Sequence, residues 1–112
     1  MLLPWLRAFA LTQVMEMPVY ALAQKGRPWW RRLLVGFMAS AITHPFVWFL
    51  FPALLPTRGD YWTMVALAET FALFAEAAWM ATNGVRYALL WSLAANATSF
   101  CTGMLFWKLD WL

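Results

Sequence analysis

The chain has 112 residues, 64% of them hydrophobic and only 12% charged, with a formal net charge of +3. An ordinary soluble domain carries about 25% charged residues, and nine Trp with nine Phe exceed what one soluble core of this length can bury. The composition therefore excludes a water-soluble domain and points to a single-domain integral membrane protein; the small charge, gathered mostly in one loop, argues against nucleic acid as a partner.

Hydropathy divides residues 1–112 into four apolar stretches, about 3–23, 33–55, 61–82 and 87–107, each long enough to cross a bilayer as a helix. The first holds Arg7 near its start and Gln13, Glu16 and Pro18 well inside. Ala21-Leu22-Ala23 looks like a signal-peptidase site. Glu16 interrupts the hydrophobic stretch before it, however, and Lys25, Arg27, Arg31 and Arg32 follow at once, so the stretch is expected to be retained as a span. The basic segment 24–32, with its Trp pair, is an interfacial loop. The second stretch contains Ser40, Thr43, His44 and Pro45, then Trp48 and Pro52. Pro45 removes a helical hydrogen bond to Ala41 and biases His44 away from ideal α geometry. A Pro/Gly-rich turn over 56–60 leads to the third stretch, and Asn83-Gly84-Val85-Arg86 to the fourth, which runs out near Trp107 and Trp111.

Short connections predict an all-α, up-down-up-down four-helix bundle. Segments 24–32 and 83–86 carry five basic residues against Arg7, Arg58 and Lys108 on the other side, which places those two loops in the cytoplasm and both termini outside. A faint internal repeat sets Glu16 before His44 as Glu69 stands before Asn96, with Ser40 and Ser92 four residues ahead of His44 and Asn96. It suggests two hairpins running in parallel.

The unusual chemistry lies in Ala68–Met80, an apolar helix carrying Glu69 and Glu76. Seven residues are close to two helical turns, so both carboxylates point the same way. Each costs roughly 2.5–3.5 kcal/mol to place in a bilayer, and partners must offset that. Counting depth along each helix puts Glu16, His44, Glu69 and Asn96 at a common midplane, with Glu76 one level toward the cytoplasm. Polar or small residues recur at helical spacing as Thr12–Glu16–Tyr20, Ser40–His44–Trp48, Glu69–Ala72–Glu76–Asn83 and Ser92–Asn96–Ser99–Gly103. These stripes are expected to face inward. Intramembrane acids mark functional sites by default, so Glu16, His44, Glu69, Glu76 and Asn96 form the candidate ion- or solute-binding set. The structural alternative is that the same groups are interhelical glue, the better description for Ser92, Thr98, Ser99 and, taken by itself, Asn96.

His44, Glu69 and Glu16 are candidate ligands for a divalent metal such as Mn, Fe(II) or Zn, although no diagnostic ligand spacing is present and no cofactor is required. Ser40 and His44 share a helix face without a glycine-framed nucleophile or an orienting acid, so no catalytic residue is assigned and an enzyme is not expected. Asn96-Ala97-Thr98 reads as a glycosylation sequon, but it falls mid-span; Cys101 is a packing residue.

Thr43–Trp48 (THPFVW), Ala68–Glu76 (AETFALFAE) and Ser92–Phe100 (SLAANATSF) together resemble a class of small, four-span bacterial inner-membrane proteins to which no activity is attached. The resemblance covers three of the four spans and implies the fold and a bacterial inner-membrane location. Two function classes stand on the sequence. One is a homo-oligomeric protein that binds or transports a proton, cation or small polar solute. The other is a non-catalytic subunit of a larger membrane complex.

Overall fold

The computed structural model describes residues 2–54 and 61–109, and all its regular elements are helical. Helix α1 spans Leu2–Ala23 and α2 Trp29–Pro45; a π-helical turn, Phe46–Leu50, joins α2 directly to the short α3, Phe51–Leu54. Helix α4 spans Tyr61–Thr82 and α5 Ala88–Lys108. The turn expected over 56–60, with Arg58, and the terminal Trp111 lie outside the described residues.

The bundle is a four-cornered ring in which α1 packs on α2, α2 on α4, α4 on α5 and α5 back on α1. Helices α1 and α4 thus face each other across the ring. Three rods, Trp29–Leu50, Trp62–Thr82 and Ala88–Lys108, are long and apolar enough to cross a membrane. Helix α1 is equally long but more polar, because Arg7, Gln13 and Glu16 interrupt it. The molecule measures 45 × 26 × 21 Å, and its long dimension matches a bilayer of about 40–45 Å including headgroups.

Burial is inverted relative to a soluble bundle. Among the described residues, six of the ten buried apolar side chains are alanines, while Gln13, Glu16, Gln24, Arg32, Ser40, Thr43, His44, Glu76, Ser92 and Asn96 are buried polar ones. Large apolar groups such as Leu22, Phe74 and Leu90 point outward and are each more than half exposed. Small residues inside let helix backbones approach closely, and large ones outside suit a hydrocarbon solvent.

The second rod starts at Trp29, so the loop is shorter than the 24–32 expected. Pro28 fixes the entry at φ −58°, ψ 144°, and a helix begins readily after such a residue. Pro45 sits inside the rod in α geometry (φ −61°, ψ −37°), and His44 stays helical. The irregularity expected at His44 therefore falls after the proline, as the π turn over 46–50, a common way to absorb a helix defect. The first loop and the turn after α4 meet at one end, where Arg27 Nη2 donates to the Gly84 carbonyl at 3.1 Å. Gly84 has φ +81° there, a conformation that glycine adopts without steric cost.

That end is zipped shut. Gln24 Nε2 donates to the carbonyls of Tyr20 (3.0 Å) and Arg32 (2.9 Å), Arg32 Nε to that of Ala21 (2.9 Å), and Trp79 Nε1 to that of Val35 (3.0 Å). Tyr20, Val35, Ala39, Met80, Val85 and Ala95 fill the interior below these locks. Helices α1 and α2 pack tightly at Gly36, where an added Cβ would stand 3.2 Å from Tyr20 Cβ. Gly36→Leu should therefore cost about 1–3 kcal/mol through overpacking, read as a lowered unfolding midpoint in detergent. Gly103→Ala has open space around it and should leave the midpoint unchanged or slightly higher, since alanine favours helix. Equal loss in both variants would refute close packing at Gly36.

Candidate functional site

Two carboxyl groups from opposite corners of the ring form the centre of the interior. Glu16 of α1 is 1% exposed and Glu76 of α4 2% exposed. Helix α2 serves both: Ser40 Oγ donates to Glu16 Oε1 at 2.6 Å, and Thr43 Oγ1 to Glu76 Oε2 at 2.8 Å. Helix α5 does the same from the other side, with Ser99 Oγ donating to Glu16 Oε2 at 2.5 Å and Asn96 Nδ2 to Glu76 Oε1 at 3.1 Å. Tyr20 OH of α1 adds a bond to Glu76 Oε1 at 2.5 Å. Ser40 and Thr43, like Asn96 and Ser99, are three residues apart, which on a helix puts both donors on one face. All four carboxyl oxygens thus have a donor, drawn from three of the four helices.

Asn96 is itself fixed, since its amide also donates to the Ser92 carbonyl at 2.9 Å, and Ser92 Oγ ties α5 to α4 through the Leu73 carbonyl at 2.7 Å. His44 lies at the α1–α2 seam beside this cluster. Its Nε2 is 3.5 Å from Thr12 Oγ1, and its ring lies against Phe9 (5.2 Å between centroids, edge-on), Trp5 (6.1 Å) and Trp48 (6.2 Å, stacked). Its Nδ1 is buried without a hydrogen-bond partner among the described residues.

Above the carboxyl pair the bundle opens. A cavity of about 890 Å³, lined by all four rods, runs from Glu16, Glu76, Asn96 and Ser99 past His44 and Glu69 to Arg7, Trp62 and Trp107. Arg7, Trp62 and Trp107 are exposed, so this is the open end. Below the pair, Tyr20 and Met80 are fully buried. The cavity is closed on the side of the basic loops.

The five residues expected to form a site thus line one cavity, but not in the expected tiers. Glu76, rather than Glu69, shares a level with Glu16 and Asn96. Glu69 is half-buried on the wall, seven residues nearer the mouth. The reason is register. Glu16 stands seven residues before the end of α1 and Glu76 six before the end of α4, and the locked loops align those ends. The suggested repeat, which matches Glu16 to Glu69, is therefore displaced by two turns. Nor are the candidate metal ligands assembled, because no group of three His, Cys, Asp or Glu among the described residues is placed to hold a metal ion. His44 faces rings and Thr12 instead.

The polar stripes face the interior or the cavity except at Asn83, which lies in the turn after α4 and donates to the Trp79 carbonyl. Tyr20, Ser40, Thr43 and Ser99 are the residues whose importance the sequence understated. The available signal was their spacing from Glu16 and from one another, three or four residues along shared helix faces. The chain matches no protein-family model, no curated protein and no solved structure.

Removing one donor leaves a buried acceptor short of a partner, which costs about 1–3 kcal/mol. Tyr20→Phe and Ser40→Ala should each lower the unfolding midpoint accordingly. Thr98→Ala, whose exposed hydroxyl bonds only to the Ala94 carbonyl, should change stability by less than about 0.5 kcal/mol. If all three variants behave alike, the carboxyl pair does not organise the interior.

Proposed function

We propose that the chain is a four-span membrane protein of a bacterial inner membrane that binds a cation or small polar solute at the Glu16–Glu76 pair and exchanges it against protons. The observation that carries this reading is a cavity of about 890 Å³ that ends on two buried carboxyls and holds a third, Glu69, on its wall. Small-molecule pockets span about 300–1,000 Å³, so the space suits a hydrated cation or a compact organic one better than a bare ion. Glu69 acts first, drawing a cation past Trp62 and Trp107. Glu16 and Glu76 then bind it, giving up protons as positive charge arrives between them. His44, at the α1–α2 seam, supplies a polar wall with one ring nitrogen to spare. Helix α1 is held as the fourth span because its carboxyl is paired on both oxygens, which offsets much of the cost of a buried acid. The basic loops face the cytoplasm by the positive-inside rule, and the cavity then opens outward. All four helices of one chain line it, so the reading does not require the homo-oligomer.

A specific observation also favours the second reading, a scaffold subunit of a larger complex. The same five hydrogen bonds that poise the carboxyls saturate them, as interhelical glue would. Proton release separates the two. Adding sodium, potassium or tetraethylammonium to weakly buffered, detergent-purified protein at neutral pH should release protons for at least one of these cations. The carboxylic-acid infrared band should fall in step. Glu76→Gln and Glu16→Gln should each abolish the release, and Glu69→Gln should weaken apparent affinity by several-fold, the effect of removing one nearby charge. Absence of release with all three cations, together with intact folding of the Glu→Gln variants, would leave only the scaffold.

A further inference from the structure

The closed end of the bundle has the opposite chemistry. Segments 24–32 and 83–87 bring Lys25, Arg27, Arg31, Arg32 and Arg86 to one face, and the sequence holds no carboxylate between residues 17 and 59 or between 77 and 109. Between the two turns lies a shallow cavity of about 390 Å³, lined by Lys25, Arg27 and Arg86 with Gly26, Gly84 and Val85. Arg27 is positioned across it by its bond to the Gly84 carbonyl, which uses one of the five N–H donors of a guanidinium. Lys25 and Arg86 are exposed. Three cations converge here, and no acid lines the cavity among the described residues.

We propose that this cavity binds a phosphate-bearing anion, supplied in the membrane by the headgroup of an anionic phospholipid. The phosphate is argued from the donors: guanidinium forks match its oxygens, and the lysine adds a mobile charge. The lipid is argued from what surrounds the cavity. Trp29 and Trp30, two and three residues beyond Arg27 in the same basic segment, are 63% and 68% exposed, and exposed tryptophans favour the headgroup layer. The Arg32 guanidinium lies 3.8 Å over the Trp29 ring, which holds that ring at this end of the bundle. Leu22, Leu34 and Leu90, each more than half exposed, continue from the same end along α1, α2 and α5 and offer apolar surface for acyl chains. Basic pockets between helices on the cytoplasmic side are suited to anionic headgroups. The site uses none of the interior carboxyls and stands apart from the solute-binding reading.

The test is lipid binding to the full-length, detergent-purified chain by native mass spectrometry, with phosphatidylglycerol and phosphatidylcholine as probes. A parallel titration follows inorganic phosphate by its phosphorus NMR linewidth. Phosphatidylglycerol should bind in preference to phosphatidylcholine. The double variant Lys25→Gln/Arg86→Gln keeps the Arg27–Gly84 contact and should lose roughly twenty- to thirtyfold in phosphatidylglycerol affinity, about fivefold per cation. Lys108→Gln, at the other end of α5, should leave it unchanged. Equal binding of both lipids would overturn the proposal, as would a loss in Lys108→Gln that matches the double variant. Binding of inorganic phosphate that depends on Lys25 and Arg86, without selective binding of the lipid, would overturn the lipid assignment in favour of a free anion.

Discussion

The interior depends on the way two carboxyl groups are satisfied without a basic partner. Among the described residues, the hydrogen bonds to Glu16 and Glu76 come from hydroxyls and one amide rather than from Lys or Arg. A buried ion pair must recover the desolvation of two charges, whereas neutral donors bring little desolvation cost of their own and can serve a carboxyl in either protonation state. A hydroxyl donates to a carboxylate and can accept from a carboxylic acid. The cluster can therefore lose or gain a proton without breaking the contacts that hold α1, α2, α4 and α5 together.

Those bonds also set the register of the bundle. Between helices in lipid there is no hydrophobic drive to fix rotation, so packing and interhelical hydrogen bonds decide it. Rotating α2 by one residue would carry Ser40 and Thr43 off the face they share and strand an oxygen on each glutamate. Rotating α5 would strand the second oxygen of Glu16 through Ser99 and leave Glu76 Oε1 with Tyr20 alone. The alanine lining lets the backbones come close enough for these short side chains to reach. At the loop end, Gln24 and Arg32 cap carbonyls left over from the end of α1 and pull α1 onto α2. At the other end, Trp5, Phe9, Trp48 and Phe49 occupy the α1–α2 seam, and the π turn interrupts the second rod. One end is drawn together and the other held apart. The cavity is the difference.

Much of this was legible in the amino-acid sequence. Helix α4 has the bounds expected for it and α5 is shifted by one residue, because long apolar runs bounded by Asn-Gly or Pro-Gly turns leave little choice. The inward direction of the four stripes was also readable, since a polar residue every three or four positions in an apolar helix has only one favourable side to face. What could not be read was the vertical alignment of one helix against the next. Counting from ends that composition defines only loosely put Glu69 level with Glu16. The actual level is set by contacts such as Arg27 to Gly84 and Gln24 to Arg32, which come from loop geometry rather than periodicity. The ring contacts of His44 were hidden for a related reason. A lone histidine near carboxylates invites a ligand reading, but the aromatic residues at positions 5, 9 and 48 enclose its ring once α1 and α2 are docked.

The remaining question is whether a saturated carboxyl pair is a lock or a binding site, and the space above it bears on that. A lock gains from being packed over, since a void forfeits dispersion contacts on every wall. Here Ala68 and Ala72 of α4 and Gly103 of α5 border the cavity, and each is among the smallest residues its helix could carry. Leucine at any of the three would project into the space, favour helix more than glycine does, and cover the carboxyls. At these three positions the rods keep small side chains on the cavity wall, which elsewhere carries larger ones such as Trp48, Phe100 and Met104, while Leu67 and Phe74 lie on the outside. Lipid-facing surface would tolerate the opposite distribution equally well. An arrangement that keeps two acids hydrogen-bonded and leaves the path to them open is therefore more easily explained by something that reaches them than by the joining of helices alone.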